Sequence, residues 1–357
     1  MRRLWKLLAM MLGFALLAAA CGDDDGASPV DEDEGATSST AAEDAGSLEG
    51  GSLVVYSGRN EELVGPLIEQ FEAATGISVE IRYGDTAEMA AQIIEEGDNS
   101  PADVFFGQDA GALGALGAEG RLVELSDDQL SLVADGLKDD EGRWVGTSAR
   151  SRVVVYNNEE LTEADLPASI LDFTAPEWSG RIGWAPTNGS FQSFVTALRV
   201  LEGEDGARSW LEGIQANDPV VYEGNTQIVE GVAAGEVSVG FVNHYYLYRF
   251  LSENPDYPAS NKLYGGGDPG GLVNVAGAGI LDTAANTAEA EAFIDFLLSE
   301  AAQTYFAEET FEIPLVAGVD PVEGVPALDD LTLPELDLNQ LDDLAGTLAL
   351  LTELGIV

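Results

Sequence analysis

From residue 52 to residue 106 the chain alternates between short apolar runs and longer stretches whose apolar positions fall three and four apart. Ser52 to Tyr56 (SLVVY) reads as a buried strand. A helix follows from about Glu61, with Leu63, Leu67, Ile68 and Phe71 on one face and Gly76 at its stop. Val79, Ile81 and Tyr83 alternate as a second strand. Thr86 to Glu96 carries Met89, Ile93 and Ile94 at helical spacing, and Pro101 to Phe106 is a third strand. Strands alternating with helices of this length predict a parallel α/β architecture.

The pattern changes at Arg150 to Tyr156 (RSRVVVY), a long β-branched strand ending at Asn157 and Asn158. Three further strands, Ile182–Trp184, Val220–Tyr222 and Val237–Asn243, each run into polar residues that open a helix: Asn188, Gly189 and Ser190; Asn225 and Thr226; Asn243 and His244. Gly270 to Leu281 is a second long strand of small residues, and helices near Thr287–Leu298 and Gln340–Leu354 close the chain. Any one Asn or Ser is explained by helix capping. Three helix starts at the carboxyl edge of one sheet face a common crevice, where free N–H groups and helix dipoles favour an anion. Arg150 and Arg152 begin the long strand and add fixed positive charge there.

The ends differ from the body. Arg2, Arg3 and Lys6 precede an apolar run from Leu7 to Leu17, and Ala18, Ala19 and Ala20 lead to Cys21. This reads as a lipoprotein signal over residues 1–20, with Cys21 the lipidated first residue of the mature chain. The alternative is an ordinary secretory leader with a leftover thiol. Cys21 is the only cysteine, so an internal disulfide is excluded. Residues 21–50 form an acidic, disordered linker without aromatic or basic residues. No later apolar run is long enough to span a bilayer.

Charge removes one class of partner. All 64 acidic residues follow Cys21, and loss of the leader leaves twelve basic ones, a balance of −52. Nucleic acid is excluded, since phosphate backbones demand basic surface. Dispersed acids with only Lys138 and Lys262 as lysines after the leader read as surface adaptation to high salt, with a cation-collecting surface as the alternative. Enzyme chemistry finds little footing: the chain has one histidine, no nucleophile elbow and no phosphate loop.

The sole histidine, His244, stands beside Tyr245 and Tyr246. The pair reads locally either as an aromatic cluster with wet hydroxyls or as two phenolates, hard donors suited to a trivalent cation such as ferric iron.

The same segments resemble the ferric-ion-binding periplasmic proteins, the bacterial transferrins that feed ABC importers. The likeness runs from Gly51 to Val357 and is carried by VYSGR (55–59), SPADV (100–104), SARSRVVVY (148–156), WSGRIG (178–183), PTNG (186–189), NHYY (243–246) and DPG (268–270). It implies a type II periplasmic-binding fold of two α/β lobes, 51–150 with 276–325 and 151–275 with 326–357, joined by crossing strands near Arg150 and Val275. It implies iron(III) bound by Tyr245 and Tyr246 with a synergistic anion, carbonate or phosphate. Arg150, Asn188, Gly189, Ser190, Asn225 and Asn243 match the anion pocket. It further implies a permease and its ATPase as partners of a monomer. The leader with Cys21 places that monomer, lipid-anchored, on the extracytoplasmic face of the cell membrane, and the missing catalytic motifs make it not an enzyme. Three family positions depart from the pattern: Asn60 stands where some members have histidine, Gln108 where some have glutamate, and Phe191 where others have a third tyrosine. The candidates to complete the metal sphere are therefore Asn60, Gln108, Asp109 and His244, with His244 also read as a polar helix start. The departures leave an alternative: the same fold carrying a phosphonate, another small anion or a small organic cation.

Overall fold

The computed structural model describes residues 50–332 and 334–357. The leader, Cys21 and all but the last residue of the linker lie outside the described residues. In chain order the first elements are β1 (Ser52–Ser57), α1 (Glu61–Thr75), β2 (Ser78–Tyr83), α2 (Thr86–Glu96), β3 (Val104–Gly107), α3 (Ala110–Ala118), α4 (Asp127–Ser131) and β4 (Val145–Tyr156). Then follow β5 (Ile182–Trp184), α5 (Gly189–Ala216), β6 (Val220–Val221), α6 (Asn225–Ala233), β7 (Val239–Asn243), α7 (Tyr245–Glu253) and β8 (Ser260–Lys262). The chain closes with β9 (Val273–Ile280), α8 (Thr287–Leu297), α9 (Glu300–Glu308), β10 (Ile313–Pro314) and α10 (Leu344–Glu353).

These strands order as β2-β1-β3-β9-β4-β7-β5-β6, with β8 and β10 also pairing with β4. The parallel pairing expected from the sequence holds in the two wings, β2-β1-β3 and β7-β5-β6. The centre is antiparallel instead: β9 opposes both β3 and β4, and β4 opposes β7. The reason is connectivity. β4 leaves the first wing and β9 returns to it, so the two must run in opposite directions. At about 3.3 Å per residue the 12-residue β4 is roughly 40 Å long, enough to serve both wings. Its partner changes from β9 to β7 between Ser151 and Arg152. That switch point sets the position of the site.

Packing explains the motifs that bear no ligand chemistry. Asp103 is fully buried, and its carboxylate accepts from the backbone N–H groups of Val54, Ala285 and Asn286 at 2.8–3.0 Å and from Asn286 Nδ2 at 3.0 Å. A buried carboxylate with four donors is fully satisfied, and this one clamps β1 to the turn before α8. Phe71 meets Phe293 edge to face at 5.1 Å, closing α1 onto α8. In the second wing α5 spans 28 residues, with Gly203 at φ 76° breaking it into two helical runs. The C-terminal α10 lies on α5: Thr347 shares a hydrogen bond with Thr196, and Arg199 bridges to Asp343. Among the described residues no helix is long and apolar enough to cross a membrane.

Candidate metal and anion site

Three helices, α5, α6 and α7, begin at the ends of β5, β6 and β7, and their first residues are bonded to one another. Asn188 caps α5, its Oδ1 accepting from Ser190 N at 3.1 Å and from Asn225 Nδ2 at 3.2 Å. Asn243 Nδ2 donates to Ser190 Oγ at 3.1 Å. Capping therefore accounts for Asn188 alone: Asn225 is the first residue of α6, whose cap is Gly224, and Asn243 ends β7. Asn225, Ser190 and Asn243 are all buried.

Tyr245 and Tyr246 open α7 directly behind this cluster. Their rings stack, with centroids 4.3 Å apart and planes 28° apart. Tyr246 lines the wall of an open cleft of about 800 Å³ together with Asn188, Asn225 and Arg59. Tyr245 lies beneath and is completely buried, and its hydroxyl has no hydrogen-bond partner among the described residues. Burial pushes the Tyr245 phenol well above its ordinary value, with Tyr246 and Glu312 adding to the rise and Arg59 and Arg150 opposing it.

Three buried arginines surround the phenol. Arg59 forms a two-pronged ion pair with Glu312, at 2.9 and 2.7 Å, and both side chains are wholly inaccessible. Burial acts to lower Arg59, but Glu312 outweighs it and the net shift is upward; Glu312 in turn is held down against its own burial by Arg59. Arg150 is buried, and none of its three guanidinium nitrogens has a partner among the described residues. Burial lowers its pKa, with the Tyr245 phenol opposing that shift and Arg59 reinforcing it. Arg152 donates from Nη1 to Asn243 Oδ1 at 3.2 Å, while its Nε and Nη2 are unpartnered. Buried donors without acceptors are costly, and five of the nitrogens on Arg150 and Arg152 are in that state among the described residues.

The four further ligand candidates separate clearly. Asn60 is exposed at the cleft mouth. Gln108 is buried and donates from Nε2 to Ser190 Oγ at 2.9 Å, so it joins the end of β3 to the start of α5 and acts as a tie. Asp109 is buried and caps α3 through Oδ1, at 3.1 Å from Ala112 N. Its Oδ2 faces α5, where a Cβ on Gly189 would come within 3.3 Å of it. Burial raises the Asp109 carboxyl, and Arg150 pulls it back down. His244 is spent on backbone: Nδ1 accepts from Ser151 N at 3.1 Å, and Nε2 donates to Phe311 O at 2.9 Å. Neither nitrogen is free for a metal, and its side chain does not cap α7. Burial drops its pKa to about 4. Phe191 is core, packed edge to face on Trp184 at 5.6 Å. Among the described residues no group of three or more His, Cys, Asp or Glu side chains is arranged to hold a metal ion.

Glu312 has no counterpart among the residues singled out from the sequence; its only local signal is an acid flanked by Phe311 and Ile313, close after Glu308 and Glu309. Phe311 itself sits at φ 58°, a left-handed conformation costing about 1–2 kcal/mol for a residue with a Cβ. Its own carbonyl receives His244, and the next residue supplies the carboxylate that pairs with Arg59. Backbone strain at such a point is a mark of functional construction.

A two-winged sheet crossed by two strands, with a buried polar cluster at the crossing beside an open cleft, is an architecture found in solute-binding proteins. Residues 99–343 match the family described as bacterial extracellular solute-binding protein, and the chain belongs to that family. It is similar to the Fe(3+)-binding periplasmic protein of Serratia marcescens, at 33% identity over 85% of this chain and 90% of the relative. The crystal structure of iron-bound HitA from Pseudomonas aeruginosa superposes with a TM-score of 0.82 at 34% identity, covering 85% of this chain and 99% of that one. A Trichodesmium protein (IdiA, FutA) in complex with iron and citrate superposes at 0.72, with 29% identity over 85% and 99%. These likenesses fix the architecture as the type II binding-protein fold.

Proposed function

We propose that this protein is the substrate-binding subunit of an ABC importer, a binding protein rather than an enzyme, and that its cargo is ferric iron held by Tyr245 and Tyr246 with a synergistic anion. The observation that carries this reading is the Tyr245 hydroxyl: fully buried, without a partner, and facing the field of Arg59 and Arg150. A buried phenol with no protein acceptor among the described residues is a poor core residue, whereas a phenolate beside a trivalent cation is satisfied. The relatives, an Fe(3+)-binding periplasmic protein and a protein solved with iron bound, favour the same cargo.

In this reading Arg150, Ser190 and Asn243 hold carbonate or phosphate, with Asn188, Gly189 and Asn225 shaping the helix starts around it. Asp109 is the carboxylate placed to add a donor. The acids at the cleft mouth, Glu61, Glu62, Asp85, Glu223 and Glu230, concentrate cations there. The wings act as lobes, 51–150 with 276–325 and 151–275 with 326–357, closing over the cargo by hinge motion at β4 and β9. The closed monomer then docks on a permease whose ATPase drives release. Cys21 tethers the protein to the extracytoplasmic face of the membrane.

The unpartnered nitrogens of Arg150 also favour a second reading, a small oxyanion carried without metal. The two are separated by titrating the apoprotein with ferric citrate and following visible absorption. Tyrosinate ligation gives a charge-transfer band that saturates at one iron per chain and is lost in Tyr245→Phe. Absence of the band, or its survival unchanged in Tyr245→Phe, rejects the iron reading.

A further inference from the structure

One charged group in the pocket has no task in that scheme. Arg152 lies two residues from Arg150 on β4, so both side chains emerge on the same face of the strand. It is buried, and its guanidinium lies over the Phe194 ring at 5.4 Å, which fixes its plane. Its single hydrogen bond goes to a neutral amide, Asn243 Oδ1, and two of its nitrogens are unpartnered. Among the described residues Arg59, Arg150 and Arg152 are the buried arginines, and only Arg59 has a carboxylate partner. Two buried like charges side by side, neither in an ion pair among the described residues, call for a ligand that supplies negative charge and acceptors.

The hydrogen bonds say how that ligand is met. Arg152 can only donate, so Asn243 must present its oxygen to Arg152 and its Nδ2 to Ser190. Ser190 Oγ then accepts from both Asn243 and Gln108, and its own proton is left to donate. The chain from Arg152 through Asn243 to Ser190 turns every group toward an acceptor.

Charge bounds the ligand's class. Arg59, Arg150 and Arg152 bring three positive charges, and Glu312 with an ionised Asp109 brings two negative ones, so the buried groups sum to one positive charge. A ferric ion with two phenolates adds one more. Without iron a single negative charge balances the buried groups, so the donors decide the class. The five unpartnered nitrogens of Arg150 and Arg152, with the Ser190 hydroxyl, exceed what the two oxygens of acetate can accept. They suit the three or four oxygens of a doubly charged oxyanion, whose second charge also balances the site once iron is bound.

We propose that Arg152 is a second anion-binding arginine which, with Arg150, selects a divalent oxyanion over monovalent anions such as acetate or chloride. The inference rests on the anion-pocket part of the function proposed above and is independent of iron. It is tested on the anion-stripped apoprotein by thermal shift and phosphorus NMR, with inorganic phosphate against acetate at matched ionic strength. Phosphate should stabilise the wild type saturably and acetate should not. Arg152→Met should weaken phosphate about tenfold, and Arg152→Lys, which keeps the charge and loses the planar fork, about threefold. Phosphate affinity within a factor of two of wild type in both variants overturns the proposal, as does equal stabilisation by acetate. Should Arg152→Met fail to fold, Arg152→Lys decides alone on the same threshold. A missing iron band with phosphate binding intact removes the metal and leaves this assignment standing.

Discussion

The buried pair between Arg59 and Glu312 is the most exposed prediction in energetic terms. Glu312→Gln keeps the shape and removes the charge. One amide oxygen can still accept from the guanidinium, but the second contact, 2.7 Å in the wild type, becomes donor against donor. Arg59 is left as a third uncompensated buried cation beside Arg150 and Arg152. Breaking one side of a fully buried pair costs about 3–5 kcal/mol, whereas replacing both partners with apolar residues of similar size is often near neutral. Glu312→Gln should therefore lose about 3–5 kcal/mol in urea unfolding followed by tryptophan fluorescence, and Arg59→Met with Glu312→Leu should lose much less than the two single substitutions summed. Loss of the Glu312 charge also removes one cause of the raised Tyr245 pKa, so iron should be retained to lower pH than in the wild type. A single-substitution cost below about 1 kcal/mol, or strict additivity of the pair, would refute the reasoning.

Iron affinity should fall with pH, because burial keeps the Tyr245 proton in place until metal displaces it; transfer to a competing chelator should change by about tenfold per pH unit for each phenol proton released, and a flat profile would count against phenolate ligation. His244 is neutral in the fold, its pKa lowered to about 4 from about 6.5 in the unfolded chain. Its contribution is therefore intact above about pH 6.5 and is lost as pH falls through about 4, on the order of 3 kcal/mol in all; His244→Asn should flatten that part of the plot of urea midpoint against pH. Gly277 lies where β9 crosses β4, and a Cβ there would sit 2.6 Å from Val145 O and 2.8 Å from Leu113 Cδ1. Gly277→Ala should cost about 1–3 kcal/mol by overpacking, read by urea unfolding; an unchanged midpoint would show that the crossing yields easily.

Local periodicity was enough to find β1, α1, β2, α2 and β3, because each is one run with a clear stop such as Gly76 or Gly97, whereas α3, α4, β8 and the first five residues of β4 carry no such signal. Strand direction at the centre was not legible, since antiparallel pairing of β4 with β9 and β7 depends on where the chain returns. The helix Glu300–Glu308 and the short strand Ile313–Pro314 were also missed: only Leu298 and Ser299 separate that helix from the end of the preceding one, and a two-residue strand has no period. Within the site, the three helix starts and the tyrosine pair could be read because each is contiguous in sequence. Glu312 could not, being paired with a residue 253 positions away. His244 and Gln108 were read as candidate ligands from their chemistry alone, whereas burial and nearby backbone or hydroxyl partners give them other work.

The central claim is that iron sits between Tyr245, Tyr246 and an anion held by Arg150. Anomalous diffraction at the iron absorption edge, on crystals of the iron-loaded full body, tests it most directly. The expected result is one strong peak within bonding distance of both phenolic oxygens, with adjoining density for an oxyanion against Arg150. A peak among Glu61, Glu62, Asp85, Glu223 and Glu230 at the cleft mouth, or none near the tyrosines, would contradict it.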